Sequence, residues 1–551
     1  MGRPEKYLPP MDERARCVSA YRALEVRREE TVYPILLRYI QDRFLLSPEQ
    51  CTSDHILDLC DISLRHILEL KKQGLYNGDI SRSCSGASSV VSKKVLLMKA
   101  IQEDFGVTMT PAEFAGITTV HDLAAFLCAQ NRVENSELPV TVSEKPPEPG
   151  FDIAAIRKNF PALSETVHGH PLSYLDNAAT LQMPRPVMEA VTELELCRGN
   201  VHRGAHTLSD RCTAAYESAR KTCAEFLGAD VHQVAFTAGT TDGINYVAEA
   251  VSRQGQGGII VTEMEHHSNF VPWQQLCSRQ NRPFRVCPIH QPDGSLSMEA
   301  LDTMLTPDIR LLAVTHCSNV TGIVNPVKEI CALAHSRGIA VLVDGAQSVC
   351  HMNIDVQDID CDFFVCSGHK LGAPFGIGLL YCKNPLPPVR YGGGMVDAVQ
   401  KQSAIFSEFP LSAEAGTPNV SGAVGLAAAI RYREMLPKGW RSYEKRLLSY
   451  AVKQISALPG VTLLGGDASV GCVSFTLRGC GAFETAALLD QTGIALRAGH
   501  HCARPLLRAL GTEAALRVSP CFYNTQEEID RLVAQLKEAL PLLRGAGGNV
   551  R

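Results

Sequence analysis

Lys370 ends the string Ser367-Gly-His-Lys370, directly after the short apolar run Phe363–Ser367 and before a glycine-rich apolar stretch. Lysines are normally solvated. One held in a loop between apolar segments can form a Schiff base with pyridoxal 5'-phosphate (PLP). Such a lysine needs companions. Asp344 ends the apolar run Ala340–Asp344 and is followed by Gly-Ala-Gln347. A carboxylate there can pair with a pyridinium nitrogen and keep the ring an electron sink. Gly239-Thr240-Thr241-Asp242-Gly243 follows another apolar run and opens a helical stretch. Small residues at a helix N-terminus form an anion site, although the string alone reads equally well as an ordinary cap. His266, in Glu265-His-His267-Ser-Asn269, is a candidate to stack on the ring. Histidine pairs also ligate metals, but the sequence suggests no third ligand and no metal is expected. Finally, Arg497-Ala-Gly-His-His-Cys502 sets a thiol beside an arginine, a setting that favours thiolate, the form that attacks sulfur. Arg517, a little further on, can clamp an α-carboxylate bidentately.

The elements that must position these residues alternate in type. Gln233–Thr237, Gly258–Thr262, Leu311–Thr315, Ala340–Asp344 and Phe363–Ser367 are short, apolar and β-rich. Amphipathic helical stretches such as Pro326–Gly338 lie between them. Apolar runs of this kind are buried on both faces, as in a parallel sheet, and the alternation means an α/β fold. Functional residues should then lie just past the C-terminal ends of strands.

The chain has 551 residues, too many for one ordinary domain. Its net charge is −5 and no Lys/Arg run resembles a phosphate-backbone footprint, which excludes nucleic acid as a partner. No apolar run approaches the ~20 residues that span a bilayer, so no membrane association is expected. The N-terminal residues lack the apolar core of a secretory signal, and Lys6 argues against myristoylation of Gly2. A cytoplasmic location is expected. Twenty cysteines are scattered without a Cys-x-x-Cys pair, which fits reduced, buried thiols rather than a disulfide or zinc framework. Cys502 is the exception. Asn131–Gly150 is polar and proline-rich and reads as an extended linker.

From about Phe151 to about Leu543 the chain resembles the type II (SufS-like) cysteine desulfurases of the class V aminotransferase family. The resemblance is carried, in order, by Tyr174-Leu-Asp-Asn-Ala-Ala179, Val201-His-Arg-Gly-Ala-His206, Met264-Glu-His-His267, Ser318-Asn319, Asp344-Gly-Ala-Gln347, Ser367-Gly-His-Lys370, Ala415-Gly-Thr-Pro-Asn419 and Arg497-Ala-Gly-His-His-Cys502. It implies the PLP-dependent transferase fold type I, with a large part near 165–410 built on a mostly parallel seven-stranded sheet. A smaller α+β part would take 420–545 plus 151–164, the whole unit spanning 151–545. By position, Lys370 resembles the Schiff-base lysine, Asp344 the ring-nitrogen partner, Gln347 the ring-oxygen partner and His266 the stacking ring. Thr240, Thr241, Ser367 and His369 would hold the phosphate. Thr417 resembles the residue lent by a second subunit, implying a homodimer. Asn319 and Arg517 would hold the substrate, with His202 and Arg497 nearby, and Cys502 would carry the persulfide. The implied reaction removes sulfur from L-cysteine, leaving alanine and a sulfur for an acceptor protein. A selenocysteine lyase would use the same pocket.

Residues 31–130 resemble an acyl carrier protein, a small all-α bundle, after an N-terminal extension at 1–30. Tyr33–Leu46 reads as its first helix, and Leu57-Asp-Leu-Cys-Asp-Ile-Ser63-Leu64 resembles the attachment motif at a helix start. Glu103–Met109 and Ile117–Leu123 resemble the later helices. The motif departs from the usual Asp-Ser-Leu, and an insertion near 71–97 splits the second helix; a competing register uses Gly86-Ala-Ser-Ser89. Two readings stay open. Ser63 carries 4'-phosphopantetheine and a carrier-bound substrate, or the domain is a docking unit without the arm.

Overall fold

The computed structural model describes residues 12–24, 26–72, 90–130, 151–202, 204–253, 255–291, 293–465 and 470–547. The expected linker at 131–150 and the competing Gly86–Ser89 register lie outside the described residues, as does Arg203.

The front of the chain is helical: α1 (Asp12–Arg22), α2 (Glu29–Phe44), α3 (Ile56–Lys72), α4 (Val90–Phe105), α5 (Pro111–Gly116) and α6 (Val120–Ala129). Local signals set the ends. Leu45 closes α2 in the left-handed region, and Thr119 with Asp122 forms a capping box on α6. Two expectations change here. Helix α1 lies inside the expected extension, yet its Cys17 and Tyr21 are buried in the same core as Leu36, Phe44 and Leu127. The end of the expected insertion is helical as well, being the first turns of α4.

Ser63 is corrected too. It lies in the interior of α3, fully buried, and its hydroxyl donates to the Phe44 carbonyl. An attachment serine must present its hydroxyl to a modifying enzyme, and this one is committed to the core. The apolar periodicity of α3 continues through Leu59, Cys60, Ser63 and Ile67, so Ser63 faces inward with them.

The back of the chain is built on a seven-stranded sheet. Its strands are β1 (Val234–Thr237), β2 (Gly258–Thr262), β3 (Phe284–Cys287), β4 (Ile309–Thr315), β5 (Ala340–Asp344), β6 (Phe363–Ser367) and β7 (Gly378–Cys382). Their order is β1-β7-β6-β5-β4-β2-β3, and only β7 runs antiparallel to its neighbours. Strands β2 and β6 are buried at every position, which explains their unbroken apolar runs. Gly378 of β7 is a packing necessity: a Cβ there would lie 2.6 Å from the Gly239 Cα. A hairpin follows, β8 (Val396–Val399) with β9 (Ala404–Phe406).

A second, antiparallel sheet comprises β10 (Val461–Leu464), β11 (Val473–Leu477), β12 (Arg497–Gly499) and β13 (Ala515–Val518), in the order β10-β11-β13-β12. The helices Ala482–Asp490 and Gln526–Gly547 belong to this region. Their Leu488, Ala539 and Leu543 are buried in one cluster with Leu97, Met98 and Phe114 of the helical bundle. The two parts of the chain therefore share a core through α4 and α5.

Candidate active site

The C-terminal ends of β1, β5 and β6 open onto one cavity of about 200 Å³. Lys370, Cys502, His266, Asp344, Gln347, Thr240, Thr241, Ser367, His369, Asn319, Arg517 and Arg497 all line it. Of the expected residues, His202 and Thr417 line a second cavity with Gly393, Gly394 and Glu414 instead.

Lys370 sits in the turn Gly368–Leu371 that follows β6. Burial pushes its ammonium down from the usual lysine range, against the pull of Cys350 and Asp344. The amine is thus nearer to the neutral form that a nucleophile or base requires. Asp344 is buried, its Oδ1 accepting the Ala346 N–H at 2.9 Å. Burial pushes its carboxyl up, so a cationic partner would be welcome beside it. Gln347 donates from Nε2 to the Ala178 carbonyl at 2.9 Å, which leaves its amide oxygen free to accept.

A hydroxyl cradle forms at the N-terminus of the helix Thr240–Arg253. The Thr240 N–H donates to Ser367 Oγ at 2.9 Å, and the two hydroxyls lie 2.8 Å apart. Thr241 donates to Ser268 Oγ at 2.7 Å. Gly239 has φ +144°, a conformation that glycine alone adopts readily. Helix dipole, amide and hydroxyls together suit a phosphate.

His266 caps the helix His267–Gln280, its Nδ1 accepting the Ser268 N–H at 3.1 Å. The neutral ring therefore carries its proton on Nε2. Burial, reinforced by Lys370, pulls its pKa down to about 3, so the ring is uncharged at neutral pH. Behind it Glu265 is buried, with Thr262, Asn269 and the Thr315 N–H donating to it. Burial raises that carboxyl to about 8.

Arg497 and Arg517 are paired directly across β12 and β13. Like charges in such a pair repel, and Asp176 separates them. Its Oδ2 is 3.3 Å from Arg497 Nη1 and its Oδ1 is 2.9 Å from Arg517 Nη2. Arg517 also donates to the Asn319 carbonyl at 2.9 Å, while its buried Nε has no hydrogen-bond partner among the described residues. That orphan donor suits an anionic ligand.

Cys502 enters on a loop after β12. His501 and Cys502 both adopt left-handed φ, 49° and 54°, which is unfavourable for residues other than glycine. Several bonds hold the turn. The His267 N–H donates to the Cys502 carbonyl at 2.6 Å and Asn319 Nδ2 to the His501 carbonyl at 2.8 Å. His501 Nε2 donates to the Ala515 carbonyl at 3.1 Å. The surrounding structure thus over-determines a strained turn that presents the thiol.

Sequence reasoning assigned no role to Asp176, Glu265, Ser268, His501 or Cys317, which also belong to the site or its support. Asp176 and Glu265 stand inside strings that carry other site residues, and that was their available signal. The Asp176 contacts are long-range and leave no spacing to read, whereas Glu265 is met by Thr262 and Asn269 close in sequence and by the distant Thr315.

The donor set fits PLP: a desolvated lysine, a buried carboxyl, an amide, an uncharged imidazole and a hydroxyl-lined helix terminus. Comparison with known proteins agrees. The profile of the aminotransferase class-V family matches residues 173–532. A cysteine desulfurase of Escherichia coli is 44% identical over 406 residues, covering 71% of this chain and 99% of that protein. Among solved structures, the E. coli cysteine desulfurase CsdA in its S-sulfonic acid form has a TM-score of 0.65 at 37% identity, covering 71% of this chain and 99% of its own. The apo cysteine desulfurase of Thermococcus onnurineus NA1 has a TM-score of 0.66 at 35% identity, covering 70% and 98%. The mostly parallel α/β architecture expected from the sequence is the fold these structures share, and the chain belongs to the class V aminotransferase family, in which its relatives are cysteine desulfurases.

Proposed function

We propose that this chain is a PLP-dependent cysteine desulfurase that moves the sulfur of L-cysteine onto Cys502 and passes it to an acceptor. The observation that carries the reading is that Lys370 and Cys502, from separate sheets, line one cavity. Simple amino-group transfer needs no thiol there. The curated relatives of the same name support the reaction class.

Bound PLP supplies an electron sink that weakens bonds at the carbons of the attached amino acid. The chain's own residues do the rest. Lys370 would tether the cofactor, and once released its neutral amine would take the substrate α-proton. Asp344 would pair with the cofactor's ring nitrogen, His266 would pack on the ring as an uncharged plate, and Thr240, Thr241, Ser367 and His369 would hold the phosphate. Arg517 and Asn319 orient the substrate carboxylate, with Arg497 at the mouth. Cys502 thiolate then attacks the substrate sulfur. A sulfur–sulfur bond forms, the carbon–sulfur bond breaks with its electron pair on carbon, and alanine leaves after protonation.

The reading includes a homodimer of the type II (SufS-like) kind, with Thr417 and His202 serving the partner's site. Thr417 is exposed and lines a cavity other than the one that holds Lys370. Its loop is tied to the hairpin stem by the Gly416 N–H to the Gly393 carbonyl at 2.7 Å. Hairpin residues Val399 and Ile405 are 68% and 63% exposed, apolar surface that a second subunit would cover. The helical bundle serves as a docking unit for an acceptor rather than a carrier, because Ser63 is buried.

Purified protein given L-cysteine and a thiol reductant should release alanine and sulfide in equal amounts. Cys502→Ala should keep the cofactor absorbance and lose sulfide release. Sulfide release at the parental rate from that variant would overturn the assignment.

A further inference from the structure

The sequence offers His267 within a histidine pair, and the fold brings two further ligands, His500 and Cys502, to it. His267, His500 and Cys502 bring a ligand atom each to within 4.8 Å of one another. The rings of His267 and His500 face each other at 5.6 Å between centroids. All three side chains are half-buried, so the cluster is both enclosed and reachable from solvent. We propose that Cys502, His267 and His500 form a binding site for a thiophilic d¹⁰ cation such as zinc, and that its occupancy reversibly masks the sulfur-accepting thiol. The second half of this statement rests on the reading of Cys502 as nucleophile; the first half does not.

The geometry suits the ion. Tetrahedral zinc takes imidazole nitrogen at about 2.0–2.1 Å and thiolate sulfur at about 2.3 Å, which places ligand atoms about 3.3–3.6 Å apart. Rotation of partly exposed side chains closes the present separation. The backbone is already held: the His267 N–H donates to the Cys502 carbonyl, and the Cys502 N–H donates to His500 Nδ1 at 3.1 Å. The Arg504 N–H donates to His267 Nε2 at 3.2 Å. Each ring thus has an unprotonated nitrogen engaged only by a long hydrogen bond, which a coordinate bond can replace. Arg497 and Arg517, two of the cations in the cavity that Cys502 lines, are paired with Asp176 and so repel an incoming ion less. Thiolate with two imidazoles selects zinc or cuprous ion over magnesium or calcium.

Binding replaces the Cys502 thiol proton, which leaves to solvent, by a metal–sulfur bond. The sulfur lone pair that would attack cysteine is then engaged by the metal. Three protein ligands leave a fourth position open, so the ion can be removed by a competing ligand.

The test uses full-length protein carrying its cofactor, stripped of metal and free of cysteine. Zinc is titrated against a chromophoric chelator, and alkylation of Cys502 by iodoacetamide is followed by peptide mass. Binding tighter than about 1 µM is expected, weakened at least about tenfold by each of Cys502→Ser, His267→Gln and His500→Gln. Zinc should slow Cys502 alkylation at least about tenfold, with recovery on adding EDTA. Cofactor absorbance in each variant reports that the fold is kept, and His500→Gln serves if His267→Gln loses it. Zinc affinity unchanged in Cys502→Ser and His500→Gln would overturn the proposal, as would alkylation indifferent to zinc. Desulfuration with no zinc effect would sink the metal site and spare the reaction. Zinc protection in a protein that never desulfurates cysteine would do the reverse.

Discussion

Lys370 and Asp344 line one cavity; burial moves Lys370 toward the neutral amine its task requires, while it pushes the Asp344 carboxyl up, so that its negative charge depends on a cationic partner. Lys370→Ala should remove the absorbance of the lysine-bound cofactor and lower turnover by about 10³-fold or more. Asp344→Asn leaves a near-isosteric side chain that cannot hold a negative charge against a ring cation. Turnover should fall on the order of 100-fold while the fold is kept, as read by circular dichroism. Turnover within a few-fold of the parent would mean that the carboxyl is structural. At this scale the sequence was most legible for residues that announce themselves by type and neighbours, such as Lys370, Asp344 and Cys502. Asp176 was not legible, because its work is to separate two arginines brought together by the register of β12 and β13. Ser63 misled for the opposite reason. Its neighbours resemble an attachment motif, whereas the apolar period of α3 turns it inward.

The loops between strand and helix hold the site, and glycine makes one of them feasible. At Gly239 the backbone needs φ +144°, and a Cβ would meet Ser367 Oγ at 3.2 Å. Gly239→Ala is therefore expected to weaken cofactor retention about tenfold, equivalent to roughly 1.4 kcal/mol, as measured by dialysis and absorbance. Retention equal to the parent's would show that the loop does not shape the phosphate cradle. Five strands of the large sheet were readable from apolar runs because both faces are covered. Strand β3 is only half-buried along most of its length and β7 follows a glycine-rich stretch, and neither was read as a strand. Gly378 is required where β7 passes the backbone of Gly239. The division of the front helices into α3 and α4 was likewise concealed by an expected single helix with an insertion. At the junction, Leu488 and Leu543 share the core of the bundle. Leu543→Asp should lower stability by about 2–4 kcal/mol in chemical denaturation. An unchanged midpoint would deny that the bundle is docked there.

The whole molecule couples its buried histidines to pH. His266 and His501 are held down to about 3, and His316 and His369 to about 4, all mainly by burial. Above the ordinary histidine value of 6.5 neither the folded nor the unfolded chain binds protons there. Below it the unfolded chain takes up protons that the folded rings refuse, so stability falls as pH drops toward 4 and then 3. The rings of His266, His501 and His316 each contribute up to about 1.4 kcal/mol per pH unit in that window, and the less enclosed His369 contributes less because solvent screens it. Thermal midpoints should therefore drop steeply between neutral and mildly acidic pH, and a flat profile would contradict the buried, neutral rings. The fold class, the sheet and most of the cavity were legible because the family's motifs persist in order. The contact between bundle and second sheet was not, since it unites residues distant in sequence. The central claim concerns where sulfur goes. The most direct measurement is peptide mass spectrometry after brief exposure of the purified protein to L-cysteine without reductant. The account predicts one added sulfur atom on the peptide bearing Cys502, an equal amount of alanine, and neither in Lys370→Ala. Sulfur on a different cysteine, or alanine formed with Cys502 left unmodified, would contradict it.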